Sequence, residues 1–262
     1  MYGNSAQNCR HKRDALKKPE LRPIYMARFF ARCAVFVVCV ALYATASAEF
    51  AILRGKAFFR KFSLLHILWG VWMADMLTQI FPIGRNISLG SLKLYKAKFR
   101  PILEKFEPRK LKEYIVKSNK DAAVVLLLWI VLIAAIGFLY YSGVLNDGML
   151  FLITAAFYVC DLICVLFWCP FRVFIMKNRC CTTCRIFNWD HMMMFTPMIF
   201  IRGFYPWSLI MMSLVVMLVW ELAIYLHPER FWECTNQSLQ CAECTDKLCP
   251  KRGEHYADIV CP

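Results

Sequence analysis

The chain is short of charge, and shortest of acid. Charged residues make up only 19% of its 262 positions, against about 25% in soluble domains. Eighteen acids face 32 bases, for a formal net charge of +14. There is no Walker loop, nucleophile elbow or zincin helix, which excludes the common signatures of nucleotide hydrolysis, serine hydrolysis and zinc proteolysis. Histidine numbers five, and His66, His191 and His227 are too dispersed to define a bis-His haem. No nucleic-acid recognition motif accompanies the basic excess, so nucleic acid is not an expected partner. Internal repeats and low-complexity tracts are missing as well.

What fills the chain instead is apolar. Hydrophobic residues reach 60% and mean hydropathy is +0.46, well above the roughly 45–50% of a soluble domain. The excess falls in blocks of about twenty residues, the length of a helix that crosses a hydrocarbon core. The fold class expected is all-α: a polytopic membrane helix bundle of five full spans plus one short or re-entrant segment, with a small Cys-rich C-terminal tail. The spans are 26–50, 62–82, 122–142, 149–169 and 207–226. The short piece is 192–201, about 15 Å as a helix against a core of about 30 Å. The corresponding domains are a basic N-terminal tail (1–28), a transmembrane domain (29–227) and a Cys-rich tail (228–262). Within the transmembrane domain lie a basic interfacial loop (84–121) and a Cys-rich loop (169–191).

Charge sets the expected orientation. Residues 1–32 carry eight Lys/Arg against Asp14 and Glu20, and residues 84–121 carry eleven against Glu104, Glu107, Glu113 and Asp121. Basic blocks beside apolar segments read as cytoplasmic and lie against anionic lipid headgroups. The protein is therefore expected in the cell membrane with its N-terminus cytoplasmic. The link 54–61 opposes this with Arg54, Lys56, Arg60 and Lys61, but the larger blocks outweigh it. Residues 26–50 also match a signal peptide ending at Ala46-Ser47-Ala48; the alternative is an uncleaved first helix. In the loop 84–121, Leu111, Tyr114 and Ile115 continue an apolar pattern among lysines. It suggests one or two amphipathic helices lying in the interface, or a solvated charged loop. If 192–201 crosses, both termini are cytoplasmic, which is the expectation for the C-terminus. If it does not cross, the C-terminal cysteines lie outside.

Eleven of the fourteen cysteines follow residue 159. The tail reads Cys234-x6-Cys241-x2-Cys244-x4-Cys249-Pro250, with Cys261 to spare. Four thiolates around a C-x2-C core suit tetrahedral zinc or an iron–sulfur cluster, since soft sulfur serves both. Two disulfides are the alternative, especially in an oxidising compartment. Upstream, Cys169, Cys180, Cys181 and Cys184 form a second candidate set, with Cys164 or the tail completing it. Lys177, Arg179 and Arg185 beside them favour thiolate. Cys160 and Cys164 share a helix face, with Asp161 beside it.

Ionisable residues inside apolar segments are functional candidates because burying charge is costly. Asp75, Asp161 and Glu221 qualify, and Asp161 stands among the thiols. Asp190 and His191 precede Met192–Met194 and suit a proton relay or a quinone headgroup; Asp190 would otherwise cap the helix that follows. The candidate catalytic residues are Asp161, Asp190 and His191. The methionines also permit a Cu(I) reading, or ordinary packing.

The layout is similar to membrane components of iron–sulfur electron-transfer chains, an architectural likeness without the C-x2-C-x2-C-x3-C-P run. The leading expectation is an integral membrane protein whose juxtamembrane cysteines hold a metal site, iron–sulfur or zinc, and act in electron transfer with a redox protein or quinone. A non-enzymatic membrane component with a zinc- or disulfide-stapled tail that docks a partner is the alternative. A soft-metal transporter is the third.

Overall fold

The computed structural model of the chain describes residues 21–81, 99–102, 108–178, 180–240 and 248. Among them there is no strand. The α-helices are α1 (Leu21–Thr45), α2 (Leu64–Ile80), α3 (Pro108–Tyr141), α4 (Asp147–Leu166), α5 (Asp190–Phe195) and α6 (Phe204–Leu226).

Local sequence explains where they start. Ser63 opens α2 with a capping box: its side chain accepts from the Leu65 N–H, and His66 takes the place of the usual Glu by accepting from the Ser63 N–H. Asn146 opens α4 by accepting from the Met149 N–H at 3.0 Å. In the described α-helices, prolines fall only in first turns, where their missing N–H has no intrahelical partner: Pro23 in α1, Pro108 at the first residue of α3 and Pro206 in α6.

Helix α3 corrects the expected interface-lying helices over its part of the loop 84–121. Nothing between Arg109 and Ile136 breaks a helix, so Leu111, Tyr114 and Ile115 belong to one continuous 34-residue rod, about 50 Å long. The rest of that loop, apart from 99–102, lies outside the described residues. Helix α1 begins at Leu21, inside the stretch expected to be tail.

Helix α1 lies along α4, and α2 and α5 pack on α6. Trp72, Phe151, Phe195, Met198 and Tyr205 meet in the core with almost no exposure. Helix α5 and the tight turn Thr196–Phe200 carry the chain from one end of the bundle to the other. Asp190 lies beside Gln79, near the end of α2, whereas the Phe200 ring meets Tyr140 and Tyr141 at the end of α3. At this second end, Gly55 and Gly203 clasp: the Gly55 N–H donates to Arg202 O (2.8 Å) and the Phe204 N–H to Gly55 O (3.1 Å).

The first end gathers the loop 167–189, the end of α6 and the chain beyond it. Trp220 donates to Arg185 O at 2.8 Å, Phe231 meets Trp220, and Trp232 stacks on Tyr114. The Gln237 N–H donates to Arg100 O and the Ile102 N–H to Thr235 O. Leu248 packs against Tyr25, Leu162 and Leu166.

Large apolar side chains cover the outside as well as the core. Phe30 and Val37 on α1, Leu127, Ile130, Val131 and Phe138 on α3, and Leu218 and Leu222 on α6 are all exposed. Four helices, α1, α3, α4 and α6, are long and apolar enough to cross a membrane, and α2 is a shorter apolar helix. Contiguous apolar surface on this scale needs a cover other than water.

Gly203 tests the clasp. A Cβ there would sit 1.9 Å from Leu53 O, a backbone atom that cannot rotate away. Gly203→Ala should lower stability by about 1–3 kcal/mol, read as a lower thermal midpoint in detergent. At Gly70 a Cβ meets nothing within 4 Å, so Gly70→Ala should leave the midpoint unchanged or higher.

Candidate functional site

Two groups of residues adjoin near the first end. One is a cavity of about 390 Å³ between the end of α4, the loop 167–189 and α5. Its walls hold five cysteines, Cys160, Cys164, Cys169, Cys181 and Cys184, together with Asp161, Asp190, Met193 and Met194. The chain gathers thiols here because α4 ends at Leu166 and turns back. Pro170 then starts a short wide-pitch turn, Phe171–Ile175, and Cys181–Thr183 form a tight turn that returns toward α4. The Cys181 thiol donates to Cys164 O at 3.0 Å.

At the centre is the sulfur of Cys169. It accepts from the Arg172 N–H at 3.5 Å, and the Cys164 and Cys181 sulfurs lie within hydrogen-bonding reach of it. Those two thiols, with help from the Arg172 and Phe171 N–H groups, hold Cys169 well below the ordinary thiol range although burial opposes them. The same contact, reinforced by burial, pushes Cys181 up. One sulfur is thus set up as thiolate and its neighbour as thiol.

The second group is a ring of charge, buried at His191 and largely buried at Arg32 but partly exposed at Asp75. Arg32 of α1 donates to Asp161 of α4 at 2.6 Å, lies 3.7 Å from Asp75 of α2, and sits over the Tyr158 ring at 4.0 Å. It also donates to Tyr158 O at 2.8 Å. Asp75 meets Nε2 of His191 at 3.3 Å, and Nδ1 of His191 lies 3.2 Å from Asp190. Gln79 places its Nε2 3.1 Å from His191 Nδ1 and 3.4 Å from Asp190. Its Oε1 is buried and has no hydrogen-bond partner among the described residues. Since Asp161 and Asp190 also line the thiol cavity, the ring begins and ends at that cavity's wall.

The sequence candidates therefore divide. Asp161, Asp190 and His191 come together, joined by Asp75. Cys169, Cys181 and Cys184 share one cavity with Cys164, whereas Cys180 stays half-buried outside its lining. Cys234 is disulfide-bonded, so while that bond holds it offers no thiolate; Cys241, Cys244 and Cys249 lie outside the described residues. Among the described residues no group of three or more His, Cys, Asp or Glu is arranged to hold a metal ion. Glu221 is elsewhere: it takes both guanidinium nitrogens of Arg185 at 2.6 and 2.5 Å and the Trp189 N–H at 2.7 Å, tying the Cys loop to α6. His66 caps α2, and His227 lies 3.4 Å from Glu229. The methionines Met192, Met193, Met194 and Met198 pack in the core.

Sequence reasoning missed Arg32 and Gln79. Arg32 counted only within the basic block 1–32, yet it is followed by a run of apolar residues, which was the available signal. Gln79 gave none.

Comparison with known proteins returned no family model, no curated relative and no solved structure that matches the chain. The fold and site define an all-helical protein with apolar helices long enough to cross a membrane and a thiol-lined cavity at one end of its bundle.

The state of Cys169 can be tested by alkylation. An ordinary thiol, with a pKa of about 8.5, loses reactivity roughly tenfold per pH unit as pH falls below it. Because Cys169 is held low, its labelling rate should stay nearly flat from pH 8 to pH 6. Removing both donors in the C164A/C181A variant should restore the ordinary decline.

Proposed function

We propose that this is an integral membrane redox protein in which the cavity thiols pass electrons to a lipid-soluble quinone. The observation that carries the reading is the gathering of Cys169, Cys181 and Cys164 in one apolar cavity that also holds two carboxylates, Asp161 and Asp190. The net step is balanced. The Cys169 thiolate and the Cys181 thiol form one S–S bond and release two electrons and one proton. The quinone takes the two electrons and two protons to become a quinol. Asp161 and Asp190 stand at the wall where a proton must enter.

The bundle fits six crossings. Helices α1, α3, α4 and α6 are full spans, and α2 rises about 25 Å. Helix α5 with its following turn makes a thinned crossing of about 19 Å, at 1.5 and 2.0 Å per residue. Both termini and the thiol cavity then share the basic, cytoplasmic face. Arg32 favours an uncleaved first helix, because removing it would leave Asp75 and Asp161 without their cation. Disulfides on a cytosolic face are usually catalytic or redox-sensing, so the Cys234 bond at this end is in keeping with thiol redox chemistry.

A second reading has its own support. The pairing of 235–237 with 100–102 and the Trp232–Tyr114 stack staple the tail to the bundle. This is what a non-enzymatic docking component would need.

The test is a titration of purified, reduced protein in detergent with a short-chain ubiquinone analogue. Quinol formation should be accompanied by the loss of two alkylatable thiols per chain, mapped to Cys169 and Cys181. Cys169→Ser should reduce quinol formation at least about a hundredfold, as expected of a lost nucleophile. Unchanged thiols and no quinol would overturn the redox reading in favour of the stapled component.

A further inference from the structure

We propose that the ring Asp190–His191–Asp75–Arg32–Asp161 is a proton relay serving the thiol cavity, with His191 holding the second proton that quinone reduction requires. This rests on the redox reading above. The stoichiometry sets the need: the thiolate–thiol pair supplies one proton and the quinol takes two. The other must come from a group that is loaded before the quinone arrives and can reach the cavity wall.

His191 meets both conditions. It is 3% exposed; Nε2 meets Asp75 at 3.3 Å, and Nδ1, whose hydrogen-bond partner is the Gln79 amide, lies 3.2 Å from Asp190. A carboxylate near each nitrogen suits an imidazolium, which can donate from both. Of the two, Asp190 also lines the cavity, so the proton on Nδ1 has a carried path: His191 to Asp190 to the quinone oxygen.

The ring is also built for the state after the proton leaves. Bare Nδ1 is an acceptor, and Gln79 Nε2 stands 3.1 Å away to donate to it. Asp75 is not stranded, because Arg32 lies 3.7 Å away on its other side. Arg32 in turn keeps Asp161 at 2.6 Å. The charged and titratable groups around His191 are accordingly Asp190 on its own helix, Asp75 on α2, Arg32 on α1, and Asp161 and Tyr158 on α4. Gln79 is a positioning residue: 8% exposed and with Oε1 unpartnered among the described residues, it is the uncharged member whose amide serves either state of the ring. Its donation favours neutral His191, so its removal makes the proton harder to release.

The experiment is a single turnover of reduced full-length protein with the short-chain ubiquinone analogue in weakly buffered detergent. Quinol absorbance and the colour of a pH indicator are followed together. In the native protein, quinol should form at a rate nearly independent of pH between 6 and 8, and uptake of one proton per quinol from solution should lag behind it. In His191→Asn, quinol formation and proton uptake should coincide, with the rate falling roughly tenfold per pH unit because solution now supplies the proton. If His191→Asn does not fold, Gln79→Leu leaves every charge in place and should slow quinol formation about tenfold while keeping the lag. Native-like rates, lag and pH profile in the variants would overturn the relay and leave the redox reading standing. Absence of quinol in the native protein would overturn both.

Discussion

Arg32 is the constraint on which the rest of this bundle depends. Its side chain is 13% exposed, and taking a guanidinium out of water costs several kcal/mol unless its partners are well placed. Two helices meet that demand: α4 through Asp161 and the Tyr158 ring, and α2 through Asp75. Helix α1 contributes few buried residues of its own, Tyr25 and Cys39, so the guanidinium supplies specificity that side-chain packing does not. It fixes the depth and rotation of α1 against α4, and through Asp75 it sets where His191 stands.

The thiol cavity inherits its geometry from the same place. Asp161 belongs to both the ring and the cavity, and it lies on the last turns of α4, immediately before the chain reverses to bring Cys169 and Cys181 under Cys164. The reversing loop is pinned from the other side by Arg185, whose bidentate pair with Glu221 and backbone bond from Trp220 hold it to α6. Charge thus frames an otherwise apolar pocket on two sides. Such a pocket, with a few convergent polar groups, is the usual form of a small-molecule site.

Much of the architecture was legible because membrane-length apolar blocks cannot hide: the cores of α1, α3, α4 and α6 fall within their expected segments. Asp75, Asp161 and Glu221 stood out for the same reason, since ionisable groups are rare in such runs, while Asp190 and His191 stood out by preceding the methionine run. Glu221 instead holds the Cys loop to α6. What spacing could not show is which way adjacent cysteines turn. Cys180 and Cys181 are neighbours, yet the tight turn at Cys181–Thr183 buries one against Cys164 and leaves the other outside. Nor does spacing state oxidation, so Cys234 read first as a metal ligand, with a disulfide as the alternative. The continuous rod of α3 was obscured by its lysines, which imitate an interfacial amphipathic helix. Arg32 was obscured by belonging to a basic stretch, where one more positive charge carries no information until its partners 43 and 129 residues away are seen.

The most direct measurement of this account is a double-mutant cycle on Arg32 and Asp161, using Arg32→Leu, Asp161→Leu and the pair, with stability read from thermal midpoints and denaturant midpoints in one detergent. If the buried pair organises the bundle, each single variant strands a charge and is strongly destabilised, while the double variant recovers much of the loss. The coupling should reach about 1–3 kcal/mol. Additive losses, with the double variant as unstable as the sum of the singles, would mean that Arg32 and Asp161 do not act on one another. The ring would then not be what holds α1 and the cavity in register.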